Sequence, residues 1–268
     1  LSPASAPSQE HYRNGTTFEE LYALYQFDRD IRHIYLKYLL KVENTFKSVL
    51  AHEFSALYGH DNYLKLENFD AVPDNISSII KLFGDIQQET ARQMSKHHQA
   101  VTHYLSEYGY IPLWVLVNVL TFGKVTMFYK LMKPQDKQNI ARKFHVDAKE
   151  LHKYMSLCGL ARNQCAHDER FFDLKFRWHL HTRSVANFSC LGLERDKSGS
   201  YPSGTNDVYA IGIVFARLLG TADTAEFIAS MSAAFSKLEQ QLHTISIKDV
   251  MRIMGYPAAW ERLQQLAR

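Results

Sequence analysis

Cysteine is scarce in this chain. It occurs three times in 268 residues, at Cys158, Cys165 and Cys190. An odd number without metal-ligand spacing excludes a disulfide framework and a zinc finger, and suits a reducing cytosol. Long hydrophobic runs are also lacking. The longest apolar stretch, residues 111–120, contains Pro112 and Asn118 and falls short of the roughly 20 residues a membrane helix needs. Charge of one sign is nearly absent: 31 Lys and Arg against 28 Asp and Glu leave a net +3, too mild to argue for nucleic acid by itself. Also missing are a glycine-rich phosphate loop, a dinucleotide fingerprint and a Gly-x-Ser-x-Gly elbow, which removes the common nucleotide-dependent and hydrolase classes. No strand-length alternation of period two persists, and no internal repeat is visible.

What remains is an ordinary globular composition, 46% hydrophobic and 22% charged, with helical patterning throughout. Residues 1–15 read as a flexible N-terminal segment, and 16–268 as one all-α domain. The chain opens at Leu1 rather than Met, which leaves an upstream segment open. Thr17-Phe18-Glu19-Glu20 has the form of a capping box opening a helix whose apolar stripe runs from Ile31 through Tyr35, Val42, Phe46 and Phe54 to a stop at Gly59. Pro73-Asp74 opens a second helix, with a continuation to Tyr108 left open. Pro112 opens a third, interrupted or ended by Gly123. A short helix is expected over 137–144. Asp147-Ala148-Lys149-Glu150 is a second capping box, at the head of the helix through Leu151, Tyr154 and Leu160. Residues 174–204 look irregular. Asn206 or Asp207 caps a further helix, and two more follow near 222–242 and 246–254.

The helix that begins at the second capping box delivers the segment Arg162-Asn163-Gln164-Cys165-Ala166-His167-Asp168. An arginine fork fits phosphate oxygens, and a histidine transfers protons near neutral pH. Together they can cleave RNA without a metal: the histidine moves the proton of a ribose 2′-hydroxyl or of the leaving oxygen, and the arginine stabilises charge on phosphorus. Five helical residues turn a side chain by roughly 500°, so Arg162 and His167 emerge about 140° apart. Convergence needs the helix to end or distort between them, or a second subunit. Asn163 and Asp168 are candidates to orient the imidazole. The plain alternative is a helix C-terminus whose Arg and His bond carbonyls.

Basic residues around the segment, chiefly Lys153, Arg170, Lys175 and Arg177 with Arg142, Lys143 and Arg183, are candidate RNA contacts. Phe171, Phe172, Phe176 and Trp178 lie among them, available either to stack on unpaired bases or to fill the core. His97, His98 and His103 lack the i, i+4 spacing of helical metal ligands, and His179 with His181 suits a strand-like pair but has no carboxylate or cysteine following at ligand spacing, so neither metal nor cofactor is expected. Asn75-Ile76-Ser77 and Asn187-Phe188-Ser189 are read as chance matches to a glycosylation pattern.

Several segments together resemble the bacterial abortive-infection Abi-like family, of the AbiD/AbiF type. They are Tyr12-Arg13 with Gly15-Thr16-Thr17-Phe18-Glu19-Glu20-Leu21, then Phe27-Asp28-Arg29-Asp30-Ile31-Arg32 and Lys41-Val42-Glu43-Asn44. Pro112-Leu113-Trp114-Val115 and Leu120-Thr121-Phe122-Gly123 follow, and then Arg162-Asn163-Gln164-Cys165-Ala166-His167 with Arg170-Phe171-Phe172. Residues 246–257 resemble the closing helix. The family's usual segment before the first of these is absent here, as in a truncated chain. The resemblance implies an all-α, HEPN-like helical bundle with additional helices, in which R-x4-6-H is the ribonuclease signature. It implies a cytoplasmic homodimer, not membrane-bound, with the motif helices facing each other in a composite site and acting in phage defence or a toxin–antitoxin-like system. Arg162 would stabilise the phosphorane, His167 act as acid or base, and Asn163 help place them, giving 2′,3′-cyclic phosphate ends. A non-catalytic protein bound to a small structured non-coding RNA is the alternative, so RNA is the expected partner either way. Cys165 is read as a small packing residue.

Overall fold

A computed structural model describes residues 14–167, 169–180, 185 and 188–267. Tyr12, Arg13, Asp168, His181, Arg183 and Asn187 therefore lie outside the described residues. Among the described residues the fold is all-α, with ten α-helices and no β-strand; two isolated bridges, Phe69 to Met132 and Lys175 to Asp207, are the only ladder pairings. No helix among them is long and apolar enough to cross a membrane.

Helix α1 (Phe18–Tyr58) is the axis of the molecule. Its 41 residues extend about 60 Å at 1.5 Å per residue. The apolar stripe read from the sequence is its buried face, and Gly59 ends it at φ 86°. Around its C-terminal half stand α4 (Leu113–Val119), α5 (Phe122–Leu131) and α6 (Pro134–Lys143). Alongside lies α7 (Ala148–Ala166), and α9 (Thr221–Glu239) packs on the axis as well. Helix α2 (Pro73–Ser95) rests on α5, with α3 (Gln99–Tyr108) behind it. Helices α8 (Val208–Leu218) and α10 (Ile247–Ile253) and a final 3-10 turn (Trp260–Leu266) complete the far end.

Two aromatic clusters fill the core. Tyr35 and Tyr38 of α1 meet Phe171, Phe215 and Phe227, mostly edge to face. Phe46 and Phe54 meet Phe69, Phe128 and Tyr129. Such pairs add about 0.5–1.5 kcal/mol each beyond area burial.

Three boundaries differ from the sequence reading. The second helix does not continue to Tyr108: it stops at Ser95, His97 adopts a left-handed φ of 53°, and His98 caps α3 by accepting the Val101 amide at Nδ1. Two of the clustered histidines are thus the joint between two helices. The break expected at Gly123 falls earlier, where extended Leu120 and the capping hydroxyl of Thr121 separate α4 from α5. Helix α6 starts at Pro134 rather than Lys137, using proline's fixed φ in the first turn.

Candidate functional site

The Arg162–His167 segment closes α7. Asp147 starts this helix by accepting the Glu150 amide at 2.8 Å, and Leu151, Tyr154, Met155, Cys158, Ala161 and Cys165 form its buried face. The helix stays regular to its end: His167 N–H donates to the Asn163 carbonyl at 3.1 Å. No distortion separates the arginine from the histidine, so within one chain they diverge by about 140°.

Arg162 leans back toward α1. Its Nε lies 3.5 Å from Oε2 of Glu43, an ion contact without hydrogen-bond geometry, and its Nη1 donates to Asn163 Oδ1 at 3.5 Å. Glu43 is buried and its other oxygen is 2.7 Å from Lys47 Nζ, which also donates to the Leu120 carbonyl at 3.1 Å. One buried carboxylate thus faces two cations. The arginine side chain stays 36% exposed, so its fork is anchored at one edge and open at the other. His167 and Asn163 are exposed.

Just beyond His167 the chain is tied to α1 by Asp28. Its Oδ1 accepts the amides of Phe171 at 2.9 Å and Phe172 at 2.7 Å, and Oδ2 lies 3.3 Å from Arg32 Nε. Burial nevertheless outweighs these contacts and raises the Asp28 carboxyl above its ordinary range. Cys165 packs beside this group, and burial pushes its thiol up to about 12. It is an apolar packing residue rather than a nucleophile.

The other candidates divide. Lys153 is half-buried and lines a cavity with Lys130, Lys137 and Lys149. Arg170 pairs with Asp173 at 2.8 Å, and Lys175 lies 3.3 Å from the fully buried Asp207. Arg177 is exposed. Of the aromatics, Phe171 and Phe176 are core and Phe172 is partly covered, whereas Trp178 is 62% exposed. His179 contacts Thr205 Oγ1 at 3.2 Å. Among the described residues no group of three His, Cys, Asp or Glu side chains could hold a metal ion.

Sequence reasoning missed Glu43, Lys47 and Asp28 as parts of this region. The available signal was an i, i+4 pair of opposite charges flanking a continuous apolar stripe, where a solvated face would carry charges away from it.

A family model described as Abi-like protein matches residues 2–173, a span that ends where Asp28 anchors the backbone. No curated protein and no solved structure matches the chain.

Proposed function

The chain belongs to the Abi-like protein family, which supports a role in abortive-infection phage defence, and we propose that it acts there as a metal-independent endoribonuclease of the HEPN type, working as a cytoplasmic homodimer. The observation that carries this reading is the geometry of α7. Arg162 is held at its root by Glu43 with its outer edge open, His167 is exposed one and a half turns on, and the two diverge within one chain. A two-fold axis beside the end of α7 brings the arginine of one protomer toward the histidine of its partner.

In that composite site the ribose 2′-oxygen attacks the adjacent phosphorus and the bond to the 5′-oxygen breaks. The imidazole takes the 2′-hydroxyl proton and, so protonated, delivers it to the departing 5′-oxygen. The arginine fork neutralises charge on the non-bridging oxygens, and Asn163 steadies the fork. The products are a 2′,3′-cyclic phosphate and a 5′-hydroxyl. Lys153, Arg170, Lys175 and Arg177 would bind the flanking RNA.

End-labelled RNA incubated in EDTA tests this. The parent protein should cleave it, and His167→Ala should lose at least a hundredfold in rate, the scale of general acid–base catalysis, with unchanged circular dichroism. Cleavage by the variant at the parent rate would refute the assignment. A second reading, a non-catalytic protein gripping a small structured RNA, is favoured by one observation: Glu43 already partners Arg162. High absorbance at 260 nm in purified protein that cleaves nothing would select it.

A further inference from the structure

Helices α5, α6 and α7 border an open cavity of about 710 Å³ lined by Lys130, Lys137, Lys149, Lys153 and His152, with Asp147 the single acidic residue on its wall. Asp147 is committed to capping α7. Among the described residues none of the four lysines forms an ion pair. Lys137 Nζ donates to the backbone carbonyl of Lys130 at 3.0 Å, which fixes it without neutralising it. Lys149 and Lys153 stand one turn apart on the same helix, a like-charge spacing that weakens a helix. The buried Tyr129 hydroxyl lies within hydrogen-bond distance of the carbonyls of Lys137 at 3.0 Å and Ala148 at 3.3 Å, linking α5 to α6 and α7. Desolvation, and then the cations Lys130, Lys137 and Lys153, lower His152 from its ordinary value. Desolvation also lowers Lys137, where the nearby Asp70 opposes the shift and Lys130 adds to it.

His152 and Lys153 also line a narrow slot shared with Ser156, Trp178 and His179. Trp178 is largely exposed although its backbone is held on both sides, by Phe176 N–H to the Asn206 carbonyl at 2.6 Å and Leu180 N–H to the Thr205 carbonyl at 2.7 Å. An exposed indole on an anchored backbone, beside a lysine-rich cavity, combines the two elements that bind unpaired nucleotides, a cationic seat for phosphate and a ring on which a base stacks. We propose that this surface binds a nucleotide, with its phosphate in the lysine cavity and its base against Trp178. His152, Ser156, Leu160, Asn163 and His167 fall within about 80° of one another on α7, so the cavity and the exposed histidine share one face about 22 Å apart along the axis. The nucleotide is either one unit of a single-stranded RNA running along that face or a free nucleotide seated alone.

The test uses full-length protein, a fluorescein-labelled oligoadenylate followed by anisotropy, and ATP as competitor. Lys149→Ala/Lys153→Ala should weaken oligoadenylate binding. The slope of log affinity against log salt should become shallower by about 0.7 for each phosphate that the double variant no longer neutralises. Trp178→Ala should weaken binding between about fivefold and about 150-fold, the range for one stacked base. Lys149 and Trp178 are exposed and Lys153 has no ion pair, so these variants should keep the parent melting temperature. Strong oligoadenylate binding poorly displaced by ATP assigns the site to an RNA strand. ATP binding at equal strength assigns it to a free nucleotide. Variants that bind oligoadenylate and ATP as the parent does would overturn the proposal, even if RNA cleavage at His167 stands. A parent protein that binds neither would overturn it too.

Discussion

Glu43 is a buried carboxylate between two helices. It faces two cations, the buried Lys47 and the half-open Arg162. Removing a buried anion leaves its partners without compensation, an effect of about 3 kcal/mol. Glu43→Ala should therefore lower the unfolding free energy by that amount, read as a lower urea midpoint at constant slope. It should also free Arg162 to swing, so under the nuclease reading kcat falls while KM for RNA changes little. Glu43→Gln keeps the shape and one acceptor, and should recover most of the stability but not the rate. Equal rates for parent and Glu43→Gln would mean that the carboxylate does not position the arginine. Asp28 works similarly on the backbone: its two accepted amides set where the chain goes after His167.

At the scale of elements, the boxes legible in the sequence are each only half formed. Thr17 accepts the Glu20 amide, but the Glu20 carboxylate turns away from its own helix. It accepts the amides of His243, Thr244 and Ile245 and the Thr244 hydroxyl. Burial opposes ionisation there, yet these four donors hold Glu20 down at about 2 against an ordinary 4.5. A depressed carboxylate adds stability that is complete above about 4.5 and is lost as pH falls toward about 2. Glu20→Gln should flatten that limb of the stability–pH curve in urea titrations from neutral pH to about 3; an unchanged limb would remove Glu20 as its cause. Glu150 likewise leaves the Asp147 box for the Tyr154 hydroxyl, while the complete reciprocal box is Ser246 with Asp249. Local spacing showed that helices are capped at Thr17 and Asp147. It could not show where a glutamate goes when a more distant set of donors is better placed. Gly255 makes the same point for glycine: φ is 84°, and a Cβ would stand 2.0 Å from Asp207 Oδ2, the residue capping α8. Gly255→Ala should cost about 2–4 kcal/mol from backbone strain plus loss of the cap, visible as a lowered Tm.

For the molecule as a whole, the segment order and the all-α class were readable from periodicity and punctuation, and so was the Arg–His segment. The charge cluster behind Arg162 and the four-lysine cavity were not, because each gathers residues from helices whose packing no local pattern states. The proposed dimer makes its own prediction. Arg162→Ala and His167→Ala proteins, each inactive alone, should regain about a quarter of parent activity when mixed and allowed to exchange, since half the dimers are then mixed and each carries one intact composite site. Zero recovery with demonstrated exchange would rule out an arginine and a histidine contributed by different protomers. Tyr35 bonds Tyr256, Glu20 bonds residues 243–245, and Asp28 bonds Phe171 and Phe172. At translation speeds of about 5–20 residues per second, α1 waits some tens of seconds on the ribosome before those partners emerge. Helix α1 is made long before the segments that cover it, so a nascent or prematurely ended chain exposes its long apolar face.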